Sequence, residues 1–169
     1  MYLNYDMSET DAVGKKGTLD IETYLRKLPE TVEVINVEDE MRYRKKDIDL
    51  IWKRNIGSQT IETKIEVKTD RYAHSGNYFL ETISNESKNT PGCFLYTEAD
   101  LVFYYFIKNK ELHIMRMPES RDWFILNMNR FKERKTSTPM ENGGYFTVGR
   151  LVPRELMQKE VQNIKIVNL

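Results

Sequence analysis

The stretch "DIDLIWKRNIGSQTIETKIEVKTD" (residues 47–70) predicts a β-hairpin and decides what kind of fold the chain has. In its first part, apolar residues alternate with two aspartates, Asp47 and Asp49, as they do along a strand. The segment 55–59 contains a glycine and is typical of a hairpin connection. The second part alternates again, so that one face carries Glu62, Lys64, Glu66 and Lys68. The charged faces of the two strands are therefore expected to be neighbours.

Further stretches rich in β-branched and aromatic residues are predicted to be strands. They are "TVEVINV" (31–37), "YFLETIS" (78–84), "ELHIMRM" (111–117), "GYFTV" (144–148) and "IKIVNL" (164–169). Another stretch, "DLVFYYFI" (100–107), is apolar almost throughout, which favours a strand that is buried on both faces.

Three helices are predicted between these strands. The first runs from Thr18 to Leu28, because its apolar residues recur at helical spacing and Pro29 follows. A second begins at Ser120, and a short third has Pro153 in its first turn. The order of elements predicts a mixed α/β fold in which a central mixed β-sheet is flanked by helices.

Length and composition limit the organisation and the location of the protein. With 169 residues, the chain is expected to form one domain over 18–169, preceded by a partly ordered lead-in over 1–17. The 26 basic and 26 acidic residues balance, so a polyanion has to meet a local basic patch. The single cysteine, Cys93, excludes an intramolecular disulfide, and the sequence contains no signal-peptide pattern or membrane-spanning run. A cytoplasmic protein without a membrane partner is expected.

Asp49, Glu66 and Lys68 form the pattern with the clearest chemical meaning. The Glu-x-Lys triplet occurs four times, at 62/64, 66/68, 86/88 and 133/135, and by itself carries little information because chance already predicts about 1.5 occurrences. Its context matters more, because the preceding strand presents Asp49 and a short hairpin joins the two strands. Paired carboxylates are typical ligands of Mg²⁺, and a lysine stabilises charge that develops on an attacked phosphate.

With "DIDLIW" (47–52) followed by "IEVK" (65–68), the chain resembles the PD-(D/E)XK nuclease superfamily. The signature of that family is an acid on one strand, followed on the next strand by Glu or Asp, one residue and Lys. Asp49 matches the first acid because Leu50-Ile51 follows it, and Glu66 and Lys68 match the rest. The resemblance covers roughly residues 18–107, and this chain departs from the pattern in having no proline before either aspartate.

The resemblance implies a restriction-endonuclease-like fold and a metal-dependent nuclease that hydrolyses phosphodiester bonds in nucleic acid, with DNA favoured, by metal-activated water. Mg²⁺, or Mn²⁺ in its place, would be bound by Asp49, Glu66 and the main chain of Val67, and Lys68 would serve catalysis. Cleavage would leave a 5′-phosphate and a 3′-hydroxyl. A homodimer is favoured if both strands of a duplex have to be cut.

Two further acids are candidate metal ligands. Glu22 stands where many members of the family place an acid on the first helix, although an acid in a first helical turn also complements the helix dipole. Asp47 precedes Asp49 by two residues and is expected to point the same way.

A shift of register leaves an alternative to the Glu66 and Lys68 pair. Glu62 and Lys64 have the same spacing and lie on the same strand face. The later pair is preferred because apolar Ile65 and Val67 flank its glutamate, which indicates a more buried position.

Cations near the acidic pair are expected to meet the phosphate backbone of nucleic acid. They are Arg44, Lys45, Lys46 and Arg71. Two other interpretations compete with the nuclease. One is an inactive nuclease-fold protein that binds nucleic acid or assists assembly, and the other is an interaction protein whose charged strand face only forms surface ion pairs.

Overall fold

The computed structural model describes residues 7–138 and 144–169, and in this part of the chain it contains five α-helices and ten β-strands. The helices are α1 (Met7–Arg26), α2 (Met41–Arg44), α3 (Cys93–Tyr96), α4 (Glu119–Asn127) and α5 (Arg154–Glu160). The strands are β1 (Thr31–Asn36), β2 (Leu50–Ile56), β3 (Gln59–Asp70), β4 (Asn77–Asn85), β5 (Thr90–Pro91), β6 (Leu101–Phe106), β7 (Glu111–Arg116), β8 (Lys132–Thr138), β9 (Tyr145–Pro153) and β10 (Lys165–Asn168). The predicted mixed α/β class is confirmed.

The strands divide between two sheets instead of joining one central sheet. A six-stranded mixed sheet has the order β1-β2-β3-β6-β7-β10, and a four-stranded antiparallel sheet has the order β5-β4-β9-β8. Each sheet belongs to its own compact unit. The six-stranded sheet lies in the unit formed by Gly14–Ala73, Thr97–Met117 and Ile164–Leu169. The prediction of one nuclease domain over 18–169 stays a prediction.

The predicted hairpin is confirmed as β2 and β3, which pair antiparallel from Leu50 opposite Ile65 to Ile56 opposite Gln59. The other edge of β3 pairs parallel with β6, so β3 and β6 occupy the middle of the sheet. Residues 102–106 of β6 are all buried, which confirms the expectation from its apolar sequence.

One face of the six-stranded sheet is covered by α1. Ile21 and Leu25 of the helix are fully buried against a cluster that includes Leu50, Ile65 and Phe103. The helix begins at Met7, so its predicted start at Thr18 is wrong. Residues 7–17 have little apolar periodicity, but they include good helix formers that continue the helix beyond its buried stripe.

Gly17 marks a close approach of α1 to β3. A Cβ atom at position 17 would lie 1.9 Å from Oγ1 and 2.9 Å from Cβ of Thr69, so rotation of the threonine cannot remove the clash. We expect Gly17→Ala to lower the free energy of unfolding by about 1–3 kcal/mol in a urea titration, despite the better helix propensity of alanine. Gly14→Ala is the matched control, because a Cβ there meets nothing within 4 Å. That variant is expected to gain about 0.5–1 kcal/mol, and a similar gain at position 17 would contradict the close approach.

The second unit includes 74–96 and the described residues of 118–163, with the four-stranded sheet and α3, α4 and α5. Its core contains Tyr78 and Phe124, both fully buried, and the ring of Phe94 packs edge-on against Phe124 at 5.5 Å. The helices at Ser120 and after Pro153 are confirmed as α4 and α5.

Strand β8 lies between α4 and the stretch 144–148, where no strand was predicted. All residues of β8 are polar or charged, so its sequence carries no apolar alternation. It is formed by main-chain pairing with β9, at the edge of the four-stranded sheet.

Among the described helices, none is long and apolar enough to cross a membrane.

Candidate metal centre

Asp49 and Glu66 lie side by side at the start of the β2–β3 hairpin. Leu50 is opposite Ile65 in an antiparallel pair, so the preceding residue, Asp49, lies opposite Glu66. The main-chain N–H of Asp49 donates to the carbonyl of Ile65 at 2.9 Å, and the side chains of Asp49 and Glu66 share a hydrogen bond. The structure therefore brings these two carboxyl groups together, as the alternation along the hairpin had led us to expect.

Main-chain hydrogen bonds on both sides hold Asp49 in place. Its Oδ2 accepts a hydrogen bond of 2.8 Å from the N–H of Val67, and its carbonyl accepts one of 2.8 Å from the N–H of Val37. The carboxylate is therefore oriented by rigid neighbouring strands and not by a loop. Such support is what a preorganised ligand or catalytic group requires.

Burial and mutual repulsion raise the pKa of both carboxyl groups. Glu66 is buried, and desolvation followed by the charge of Asp49 raises its pKa well above the ordinary value. Desolvation raises the pKa of Asp49 to about 6, although hydrogen bonds from Val67 and Glu66 oppose the shift. The side chains of Asp49 and Glu66 share a hydrogen bond, which requires that one of the two carboxyl groups carries a proton.

This pair fits a hard divalent cation by its donor chemistry. Mg²⁺ and Mn²⁺ prefer oxygen ligands, and a cation removes the repulsion that otherwise forces one carboxyl group to keep a proton. The main-chain groups of Val67 point to the edge of β3 that faces Asp49, because its N–H donates there and the C=O of the same residue points the same way. Asp49, Glu66 and the carbonyl of Val67 are therefore the three groups that would hold the ion.

Lys68 follows on the same face of β3 as Glu66. It is half-buried, and its positive charge lowers the pKa of Glu66, which lies two residues earlier on the same strand face. In the parallel pairing with β6, Lys68 lies opposite Tyr104. Next to it, the hydroxyl of Tyr104 donates a hydrogen bond of 2.5 Å to Oδ2 of Asp70, and the N–H of Tyr72 donates to Oδ1 at 2.6 Å. These contacts fix the end of β3.

Asp47 lies near Glu66, but in a turn and not in the predicted strand. Strand β2 begins only at Leu50, and Asp47 lies in the preceding turn with a φ of 47°, so the prediction of a strand from Asp47 is wrong. A carboxylate oxygen of Asp47 nevertheless lies within 4.8 Å of one of Glu66. Its charge also raises the pKa of both Asp49 and Glu66.

The register alternative, Glu62 and Lys64, lies farther along the hairpin from Asp49. Glu62 is exposed and opposite Lys53, while Lys64 is opposite Ile51. The main-chain N–H of Lys64 donates to the side chain of Asp100 at 2.7 Å. The geometry therefore brings Glu66, and not Glu62, to the position opposite Asp49.

Glu22, the candidate ligand on the first helix, lies on α1 and forms an ion pair with Arg26 at 2.7 Å. The same guanidinium also donates to the carbonyl of Val34 at 2.6 Å, which joins the helix to β1. The ion pair gives Glu22 a structural role. The role of Glu22 as a metal ligand stays a prediction.

The basic residues named from the sequence have different surroundings. Arg44 ends α2, and Lys45 and Lys46 lie in the turn that follows it; all three are exposed, and Lys46 forms an ion pair with Glu98 at 2.7 Å. Arg71 lies in the bend after β3 and is half-buried. Their contact with nucleic acid stays a prediction.

Two further residues lie near the acidic pair, and no pattern in the sequence indicated either of them. Glu38 follows β1, and its charge contributes to the raised pKa of Asp49. Thr97 is almost completely buried and donates a hydrogen bond of 2.6 Å to the carbonyl of Asp47. Both are distant in sequence from their neighbours, so only the pairing of strands brings them to the site.

Comparison of the chain with known protein families, with curated proteins and with solved structures found no match.

Proposed function

We propose that this protein is a Mg²⁺-dependent deoxyribonuclease and that its six-stranded unit is a restriction-endonuclease-like domain. The observation that carries the proposal is the Asp49–Glu66 pair, two carboxyl groups held together at the start of the β2–β3 hairpin with Lys68 on the same face of β3 as Glu66. The order of elements supports it, because α1, the β2–β3 hairpin and the parallel strand β6 follow one another as in the PD-(D/E)XK family.

The residues of the chain have distinct functions in such a reaction. When bound, Mg²⁺ would supply charge neutralisation at the attacked phosphate and a more acidic water nucleophile. Asp49 and Glu66 would bind and orient the ion from rigid strands, with the carbonyl of Val67 completing the set. Lys68 would stabilise the negative charge that grows on the phosphate oxygens in the transition state, because it lies on the same strand face as Glu66 and its charge acts on that residue.

Basic residues on the surface are expected to contact the DNA near this site. Arg44, Lys45 and Lys46 lie just before Asp49 in the chain, and Arg71 follows the end of β3. We propose that these cations contact the phosphate backbone of DNA, which positions the scissile bond without reading its sequence. A homodimer that cuts both strands of a duplex and a cytoplasmic location complete the proposal.

The first test is divalent-cation binding by titration calorimetry with Mn²⁺, together with cleavage of DNA in Mg²⁺ and in EDTA. The amide of Glu66→Gln can donate a hydrogen bond to Asp49 but is not an ionisable ligand, and we expect this variant to weaken Mn²⁺ binding by at least about 10–100-fold. Glu62→Gln, on the exposed part of the same strand face, is the matched control and should bind as the wild type does.

The outcomes separate the competing interpretations. Cleavage that needs Mg²⁺, stops in EDTA and leaves 5′-phosphate ends supports the nuclease. Cation binding and DNA binding without cleavage would instead indicate an inactive nuclease-fold module. If the wild type binds no divalent cation, the proposed metal centre is wrong.

A further inference from the structure

Strand β8 carries different charges on its two faces. Because side chains alternate along a strand, Glu133 and Lys135 lie on one face. Both charges are compensated there, since Glu133 forms an ion pair with Arg150 of β9 at 3.0 Å and Lys135 forms one with Glu86. The opposite face, which we call the cationic face, consists of Lys132, Arg134 and Thr136.

The side chains of the cationic face have no such partners. Lys132 and Arg134 are exposed, and neither side chain forms an ion pair or a hydrogen bond with any residue that the structure describes. The hydroxyl of Thr136 also makes no hydrogen bond with the described part of the chain. The preceding cation, Arg130, differs because it forms an ion pair with Glu160 at 3.1 Å. Two positive charges of β8 are therefore left uncompensated.

The neighbouring strands do not neutralise these charges. Strand β9, which pairs with β8, contains no acidic residue. Arg134 lies opposite Gly149 of β9, and Glu81 of β4 lies opposite the same glycine on its other side. Adjacent strands are about 4.8 Å apart, so the main chain of Glu81 is about 10 Å from that of Arg134. The cationic face therefore keeps its positive potential.

The composition of β8 disfavours another protein strand as the partner of this region. Among the described strands, β8 has β9 as its only neighbour and lies at the edge of the four-stranded sheet. Every residue of β8 is polar or charged, which disfavours pairing of its open edge with a further strand. Cations and a hydroxyl at every second residue, about 7 Å apart, are instead donors that contact phosphate oxygens. The charge of this face is thus complementary to a nucleic-acid backbone.

We propose that the cationic face of β8 binds the phosphate backbone of the DNA substrate, with Lys132 and Arg134 contacting phosphates and the hydroxyl of Thr136 donating to a phosphate oxygen. This inference rests on the proposed function, since its partner is the substrate of the proposed nuclease. It goes beyond that function because the cations considered there, at 44–46 and 71, all belong to the unit of the six-stranded sheet. Phosphates are the same in every sequence, so these contacts should not select a base sequence.

Fluorescence anisotropy with a labelled DNA duplex tests the inference in EDTA, where the proposed nuclease cannot cleave the probe. Lys132→Gln and Arg134→Gln are each expected to weaken binding about 3–10-fold at about 0.1 M NaCl, because each removes one phosphate contact. The slope of log Kd against log [NaCl] should fall by about 1 in each variant. Lys135→Gln is the matched control, because it removes one positive charge from the other face of the same strand. It should bind within about twofold of the wild type with an unchanged slope.

Two further measurements separate hydrogen bonding and folding from charge. Thr136→Val should weaken binding about 2–10-fold without changing the salt slope, because it removes a hydrogen-bond donor but no charge. All four variants should unfold within about 2 °C of the wild type, since none of the four side chains is fully buried.

Two results would overturn the inference. Equal weakening by Arg134→Gln and Lys135→Gln would show that only the net charge of the protein matters. Wild-type DNA binding by both Lys132→Gln and Arg134→Gln would overturn it as well, and loss of binding to phosphatidylserine vesicles in these variants would then assign the face to a membrane surface.

Failure of the proposed function gives a different pattern. DNA binding that depends on Lys132 and Arg134, in a protein that binds no Mn²⁺ and cleaves no DNA, supports the cationic face and refutes the nuclease. Mg²⁺-dependent cleavage with normal DNA binding by both variants supports the nuclease and refutes the cationic face.

Discussion

Replacing Lys68 with methionine is expected to slow DNA hydrolysis by a factor of about 10²–10³. Lys68 lies on the same strand face as Glu66, and its positive charge lowers the pKa of that residue. In the proposed reaction it acts on charge that develops only in the transition state, so its loss should lower the rate of the chemical step. Methionine keeps most of the length and apolar surface of the half-buried side chain, which limits the effect on folding.

Single-turnover cleavage at saturating Mg²⁺ measures this effect, and Mn²⁺ calorimetry measures whether the metal centre survives. Binding of Mn²⁺ should change by less than about threefold or become slightly tighter, because a competing positive charge is removed. Lys64→Met is the matched control on the same strand, where the residue lies opposite Ile51, and it should cleave at the wild-type rate. Equal losses in both variants would indicate that the two lysines contribute only general positive charge.

The β2–β3 hairpin shows what the sequence could predict about the site. Alternation with a period of two assigns Ile65 and Val67 to one face and Glu66 to the other, whatever the rest of the fold is. A short connection between the strands then fixes their register, which places Asp49 opposite Glu66. Both observations are local, and for that reason the central pair of the site was predictable.

The turn that presents Asp47 shows where this reasoning fails. Alternation continued backwards from Leu50 placed Asp47 in the strand, but its backbone has left-handed geometry. The contact that stabilises this conformation comes from Thr97, fifty positions later in the chain. Nothing in the local sequence around either residue specifies that contact, because it exists only after β6 has paired with β3.

Strand β8 and the first turns of α1 were also not predicted from the sequence. Strand β8 has no apolar face, and its pairing with β9 is made by main-chain groups that every sequence possesses. Likewise, the first turns of α1 lack an apolar stripe, so periodicity could not detect them. Sequence patterns report burial, and elements with little burial are therefore missed.

Asp49→Asn is expected to remove activity and Mn²⁺ binding and at the same time to make the protein more stable in EDTA. The aspartate is forced beside Glu66 in a poorly solvated place, so the wild type without a cation must keep one carboxyl group protonated or accept the repulsion. Asparagine still accepts the hydrogen bond from Val67 and carries no charge. The gain should be about 1–3 kcal/mol near pH 8, since each unit of pKa shift corresponds to 1.36 kcal/mol.

The dependence of this gain on pH follows from the direction of the pKa shifts. The pKa of Asp49 is raised from 3.8 to about 6 in the folded protein, so between these values the folded state binds more protons than the unfolded state. The contribution of Asp49 to the free energy of unfolding of the wild type therefore falls as the pH rises from about 4 through about 6. The raised pKa of Glu66 extends the fall to higher pH. Asp49→Asn removes one of the two acids, so its advantage should be small near pH 4 and largest above the raised pKa values.

Urea unfolding in EDTA across this pH range, repeated with Mn²⁺, checks both parts of the prediction. Without the cation the variant should be the more stable protein at about pH 8, by about 1–3 kcal/mol in the free energy of unfolding. With saturating Mn²⁺ the order should reverse, because only the wild type binds the ion and is stabilised by it. Glu62→Gln, whose residue is exposed, should follow the wild type under both conditions. A variant that is less stable than the wild type in EDTA at pH 8 would mean that Asp49 stabilises the fold. The interpretation of the acidic pair as a destabilising metal centre would then be wrong.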